Sequence, residues 1–226
     1  MTEPGTLSVV ATPIGNMGDI TLRALETFRE ADAIACEDTR VTSKLLAKYE
    51  IKKPLLVYHA RSARSASSRV LALLAEGKRV ALVTDAGTPG VSDPGTDLVA
   101  QARAMGARIE AIPGASALTA ALSIAGLHTH EFLFLGFLPH KKGRQTIFKT
   151  IAEEKRAIVF YESPHRIEKT LASLVEILPA GRTLAVCREL TKFFESVVIG
   201  TASEVMTAFA EHPEELRGEF VVIVSP

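Results

Sequence analysis

Short apolar runs alternate with amphipathic stretches from one end of the chain to the other, and this rhythm limits the possible folds more than any other feature. Strand candidates are residues 7–12, 33–37, 55–59, 79–85, 108–112, 132–137, 157–161, 183–188, 196–200 and 219–224. Most are apolar without alternation, the pattern of strands covered on both faces. The clearest intervening helix is 164–178, where Ile167, Leu171, Leu174, Val175 and Leu178 form one apolar stripe. Ser163 and Pro164 suit its N-cap and first turn. The βαβ order predicts an α/β fold with mainly parallel strands.

Ten candidates are too many for one average sheet of about five or six strands. Two sheets are expected, hence an N-terminal α/β domain over 1–113 and a C-terminal α/β domain over 114–226, with the break at Pro113-Gly114. In the second half, runs 183–188 and 196–200 are separated by a turn around Lys192–Glu195. That spacing predicts an antiparallel hairpin and a mixed sheet. No internal repeat or low-complexity tract interrupts the chain.

Composition narrows the class. The 226 residues are 47% hydrophobic, which rules out intrinsic disorder. Lys plus Arg balance Asp plus Glu at 26 each, so the net charge gives no reason for non-specific attraction to nucleic acid or membrane. No apolar run approaches the roughly 20 residues of a membrane helix, and Met1-Thr2-Glu3-Pro4-Gly5 lacks the basic-then-apolar pattern of a secretory signal. Cys36 and Cys187 each sit in an apolar run, as buried free thiols in a reducing compartment would. Metal-ligand spacing is absent. A cytoplasmic protein without metal, disulfide or membrane chemistry is expected.

Charge is uneven locally. Residues 40–69 hold eight basic side chains (among them Arg40, Lys44, Arg61 and Arg64) and one acid, Glu50. The segment His140-Lys141-Lys142-Gly143-Arg144 holds no acid. Such runs are commonly solvated helix faces, but two in one neutral chain point to an anionic partner.

The informative loops follow strands, where α/β sheets place ligand sites. The first is Ala11–Asn16, the second Thr84–Gly95 (TDAGTPGVSDPG), and the third Ile112–Leu118 (IPGASAL). The second matches neither a dinucleotide fingerprint nor a Walker loop, and no Lys-Ser/Thr follows it. Its prolines remove backbone donors and Asp85 and Asp93 add negative charge, so it should repel phosphate. A cationic or hydroxyl-rich ligand suits it, and a nucleoside carrying a sulfonium is both. A rigid Gly/Pro turn with capping aspartates is the plain structural alternative. Ser116 reads as a helix N-cap whose neighbouring N–H groups are free for a ligand. Glu37-Asp38-Thr39-Arg40 reads as an ion pair with helix capping or as a polar substrate site, and Tyr161–Arg166 has the same form.

Together, VATPIGNMGDITLRAL, ACEDTR, TDAGTPGVSDPG, IPGASALTAAL, FLGFLP, FYESPHR and the CREL segment occur in an order that resembles the bacterial ribosomal RNA small-subunit methyltransferase I family. That family lies among the tetrapyrrole methylase-like (class III) S-adenosylmethionine enzymes. The resemblance covers about residues 7–224. It implies a homodimer of two-domain α/β chains that bind S-adenosylmethionine in the cleft between domains, release S-adenosylhomocysteine, and methylate a cytidine ribose 2′-oxygen in the decoding region of small-subunit ribosomal RNA. The reaction implied is in-line attack on the cofactor methyl group, with alignment as the main catalytic contribution.

Carried over by motif, Pro13 lies at the cleft floor, and Asp85, Ala86, Gly87, Val91 and Ser92 line the methionine and ribose portions. Ser116, Ala117 and Leu118 hold the cofactor from the third loop. Phe160 and Tyr161 wall the adenine, and Leu190, Gly218 and Glu219 close the far side. Glu37, Asp38 and Arg40 are candidates for substrate contact or proton transfer. Arg40, Lys44, Arg61, Arg64, Lys141, Lys142 and Arg144 are candidates for RNA contact. Members of the family usually continue into a small helical domain, whereas this sequence ends at Val224-Ser225-Pro226; cofactor binding is expected to survive that difference. The alternatives are methylation of a tetrapyrrole or other small molecule by the same machinery, and a non-catalytic ribosome-binding module.

Overall fold

The computed structural model describes residues 3–58 and 63–226, with backbone only for 63–66. Among the described residues the strands form two five-stranded sheets, one in each of two compact units, 1–116 and 117–226.

In the first unit β1 (Thr6–Val10), β2 (Ala33–Cys36), β3 (Leu55–Val57), β4 (Arg79–Leu82) and β5 (Arg108–Ile112) lie in the order β3-β2-β4-β1-β5. Every pairing is parallel, and Leu7 of β1 stands opposite Val80 on one side and Ile109 on the other. The connecting helices are α1 (Leu22–Glu30), α2 (Thr39–Lys48), α3 (Ala63–Ala75) and α4 (Thr96–Ala104). Phe28 of α1 and Leu45 and Leu46 of α2 pack with Val10, Ile34 and Ala81 on one face. Val70 and Leu74 of α3 and Leu98 and Ala102 of α4 pack with Leu7, Val80 and Leu82 on the other. The chain therefore leaves the neighbouring strands β1 and β4 in opposite directions, towards opposite faces. Loops that part in this way open a crevice above the strand carboxyl ends, the usual ligand position in such sheets.

Several strands end earlier than the sequence predicts. Ala11, Thr12 and Val83 are apolar or buried enough to read as strand, yet they lie beyond the last ladder pairs of β1 and β4. They belong to the parting loops, and Thr12 forms an isolated antiparallel bridge with Gly87 instead.

The second unit holds β6 (Phe132–Phe137), β7 (Ala157–Glu162), β8 (Thr183–Arg188), β9 (Ser196–Thr201) and β10 (Phe220–Val224) in the order β6-β7-β10-β8-β9. Only β6 and β7 pair in parallel; the other ladders are antiparallel, including the β8–β9 hairpin expected from the sequence. Its helices are α5 (Ala117–Ile124), α6 (Arg144–Glu153), α7 (Ile167–Ile177) and α8 (Ala202–Glu211). Phe148 and Ile151 of α6, Leu171 and Leu174 of α7 and Val205 and Phe209 of α8 close over Ile158, Phe160, Val186 and Val222. Arg182 is buried and ties off the end of α6. Its guanidinium donates to the carbonyls of Ile151 (2.7 Å), Ala152 (3.1 Å), Glu154 (2.9 Å) and Ser225 (2.7 Å).

The α7 helix starts at Ile167, not at the predicted 164. The Ser163 carbonyl accepts from both Arg166 and Ile167, each at 3.0 Å, and this tight turn precedes the helix. Ser163 is drawn into the turn by its own N–H, which donates to Glu162 at 2.8 Å, rather than standing free to cap.

Candidate functional site

The loops after β1, β2, β4 and β5 share the carboxyl edge of the parallel sheet, and hydrogen bonds fasten them to one another. Thr12 and Gly87 exchange backbone bonds of 2.9 and 3.0 Å. The buried Thr12 hydroxyl donates to the Thr84 carbonyl at 3.2 Å, and Thr84 Oγ1 donates to the Ala86 carbonyl at 3.3 Å. Thr88 Oγ1 reaches the third loop at the Ala115 carbonyl, 3.2 Å away. The Asp38 N–H donates to Asp85 Oδ1 at 3.0 Å, joining the end of β2 to the second loop. Gly87 is needed at this junction. Its φ of +79° is left-handed, a conformation that would strain any other side chain. Ser92 holds a φ of 64° without being glycine, a strained conformation of the kind that clusters at binding sites.

One edge thus gathers Pro13, Glu37, Asp38, Asp85, Ala86, Gly87, Val91 and Ser92, with Ser116 closing the third loop just before α5. Ala117 and Leu118 form the first turn of α5 and are half-buried.

The electrostatics of this edge are acidic, and its carboxylates differ in character. Asp38 caps α2, accepting from the Arg40 N–H at 2.8 Å and pairing with the Arg40 guanidinium at 2.6 Å. Those bonds hold its carboxyl down at about 2. A carboxylate so stabilised is a poor proton acceptor, so Asp38 is built to cap and to hold Arg40 rather than to act as a base. Asp93 is the opposite case. Burial first, then the nearby charges of Glu37 and Asp85, push its carboxyl up to about 6. A positive ligand beside these groups would relieve that repulsion, and the donor set fits a sulfonium. Asp93 was absent from the site residues that the motifs supplied, although its charge was visible in TDAGTPGVSDPG.

In the second unit strand alternation separates Phe160 from Tyr161. Phe160 is wholly buried in the core against α6, α7 and α8. Its ring is thereby corrected from a ligand wall to a core residue that offers a ligand its backbone alone. Tyr161 faces the other side, half-buried, with edge contacts to Phe134 at 5.0 Å and Phe137 at 5.4 Å. The 189–195 and 217–219 segments meet at the same sheet edge. Glu189 accepts from the Glu219 N–H at 2.9 Å, and Lys192 lies 2.8 Å from both Glu189 and Glu219. Leu190 is buried between two left-handed residues, Glu189 (φ 49°) and Thr191 (φ 66°). Gly218 tolerates no side chain, because a Cβ would come within 2.5 Å of Glu189 Cγ.

Of the residues predicted to contact RNA, Arg40 and Lys44 are exposed on α2, and Lys141 and Lys142 are exposed in the loop before α6. Arg61 and the side chain of Arg64 lie outside the described residues. Arg144 is corrected. It turns inward, donating to the Pro139 carbonyl at 3.2 Å and Thr170 Oγ1 at 2.7 Å, with its guanidinium 5.0 Å over the Phe148 ring. Two of its N–H groups are engaged there and its side chain is only 19% exposed, so the exposed cations of this loop are the lysines beside it.

Among the described residues no group of three or more His, Cys, Asp or Glu side chains could hold a metal ion, and no helix is long and apolar enough to cross a membrane.

Residues 6–206 match the family described as Tetrapyrrole (Corrin/Porphyrin) Methylases. The chain is 47% identical over 225 residues to the ribosomal RNA small subunit methyltransferase I of Xylella fastidiosa (strain Temecula1 / ATCC 700964), covering 99% of this chain and 82% of that one. It is 44% identical over 221 residues to the protein of the same name from Thermotoga maritima, covering 98% of both. Among solved structures, uroporphyrin-III C-methyltransferase from Thermus thermophilus, complexed with S-adenyl homocysteine, shares the fold with a TM-score of 0.65. It does so at 19% identity, over 98% of this chain and 97% of that one. The chain belongs to the tetrapyrrole (corrin/porphyrin) methylase family, in the group that includes the proteins named ribosomal RNA small subunit methyltransferase I.

Proposed function

We propose that this protein methylates the ribose 2′-oxygen of a cytidine in small-subunit ribosomal RNA, using S-adenosylmethionine. The observation that carries the reading is near-full-length identity of 44–47% to proteins named for methylating that RNA. The acidic switch-point edge supports the cofactor half. When bound, the cofactor supplies a methyl group on a positively charged sulfur.

The chain's own residues do the rest. Asp85 and Asp93 supply negative charge to the sulfonium, and Glu37 adds to their field. Pro13, Ala86, Gly87, Val91 and Ser92 shape the floor and sides for the methionine and ribose. Ser116, Ala117 and Leu118 hold from the third loop, and Tyr161, the backbone of Phe160, Leu190, Gly218 and Glu219 are the second unit's candidates for cofactor contact. Asp38 holds Arg40 out from α2, with the Arg40 side chain 86% exposed, where its guanidinium meets RNA phosphate. Lys44, Lys141 and Lys142 make further phosphate contacts. A homodimer acting in the cytoplasm belongs to the same reading.

A side-by-side assay tests it. Purified protein with labelled S-adenosylmethionine should label small ribosomal subunits that lack the modification and leave uroporphyrinogen unlabelled. Labelling of the tetrapyrrole alone would reverse the assignment. Cofactor binding without transfer to either would favour a non-catalytic ribosome-binding module.

A further inference from the structure

The basic loop between β6 and α6 stands on a buried clamp. His140, Lys141, Lys142 and Gly143 are exposed, and a Gly-containing loop of like charges has little in its own sequence to fix it. Its stem, however, is gripped at two consecutive carbonyls. Arg166 donates to the Leu138 carbonyl at 2.7 Å, and Arg144 donates to the Pro139 carbonyl at 3.2 Å.

One carboxylate organises both guanidiniums. Glu162 is wholly buried; its Oε1 lies 2.7 Å from Arg166 Nη2 and its Oε2 accepts from Thr170 Oγ1 at 2.7 Å. The Thr170 hydroxyl in turn accepts from Arg144 Nη2 at 2.7 Å, and Arg144 itself is 3.9 Å from Glu162. Two guanidiniums on one carboxylate leave a net positive charge at the base of a loop that carries two more cations. Closing the stem alone would need only one ion pair. The surplus charge is unfavourable in a partly buried setting unless an anion is drawn to the tip.

We infer that Glu162, Arg144 and Arg166 are positioning residues for RNA. They hold the stem at Leu138 and Pro139 so that Lys141 and Lys142 meet the phosphate backbone from a fixed base. The inference rests on the reading that the substrate is ribosomal RNA.

The test is a double-mutant cycle on the full chain. Wild type, Lys141→Ala/Lys142→Ala, Arg166→Gln and the triple variant are compared for retention of unmodified small ribosomal subunits on filters, without cofactor, across a salt series. KM and kcat for the subunit are measured in parallel. The lysine pair and Arg166→Gln should each weaken retention about tenfold and raise KM, with kcat within about twofold. The triple variant should bind no more weakly than the poorer of its parents. The lysine pair should flatten the salt slope by about two, and Arg166→Gln should flatten it in the same direction. Additive losses, or an Arg166→Gln salt slope equal to that of wild type, would overturn the clamp while leaving the RNA reading intact. Wild-type retention by the lysine pair would instead remove this loop from the RNA surface, and the clamp's role with it. Should Arg166→Gln fail to fold, Thr170→Val breaks the Glu162–Arg144 relay without removing a charge. It should show a smaller loss with the same non-additivity, and an additive loss there would equally overturn the clamp.

Discussion

Asp93 sits half-buried beside Glu37 and Asp85, and its carboxyl is raised from 3.8 to about 6. A raised acid binds its proton more tightly in the folded state. Its favourable contribution is therefore complete below about pH 4 and lost as pH rises towards and through 6. Asp93→Asn should then be more stable than wild type at pH 8 by about 1 kcal/mol, after allowance for solvent screening. The gap should close at pH 4, as urea denaturation at the two pH values would show. Cofactor affinity has the opposite sign. Ionised Asp93 favours a sulfonium, so calorimetry should find binding several-fold tighter at pH 7 than at pH 5, a trend absent in Asp93→Asn. A trend that persists in the variant would assign it to another group. Phe160 provides a second residue-scale test. Phe160→Ala should cost about 3–5 kcal/mol of stability, whereas Phe160→Leu should leave cofactor affinity within about twofold, since the ring faces the core. The motif FYESPHR marked this stretch as a site but could not say which of two adjacent aromatics faces inward. That depends on which face of β7 meets α6, α7 and α8, a tertiary choice.

At the scale of elements, the strand–helix rhythm was readable because strands covered on both faces are almost wholly apolar, as in β7 and β10. Boundaries were less readable wherever buried polar partners decided them. The α7 start moved to Ile167 because Glu162 organises the turn before it, and no local pattern announces a buried carboxylate with two arginines. Arg182 was equally silent in sequence, yet it satisfies three carbonyls at the end of α6. Arg182→Ala should leave those buried and part-buried acceptors unpaired and cost roughly 2–4 kcal/mol. Equilibrium denaturation checks this, and a loss under about 1 kcal/mol would mean that water replaces the guanidinium.

For the whole molecule, the loop chemistry was legible because the switch-point loops carry Gly, Pro and Asp in an uncommon order, and the parallel sheet brings those loops to one edge. Both cysteines are buried, Cys36 in β2 and Cys187 in β8, and burial raises both thiols, Cys187 to about 11. Neither should react with a chromogenic disulfide reagent over minutes in the native state, and both should react once the chain is unfolded. The most direct measurement is transfer of labelled methyl from S-adenosylmethionine to small ribosomal subunits lacking the modification, followed by nuclease digestion and separation of nucleosides. Label is expected in 2′-O-methylcytidine. Label in a base-methylated nucleoside, or none despite cofactor binding, would contradict it.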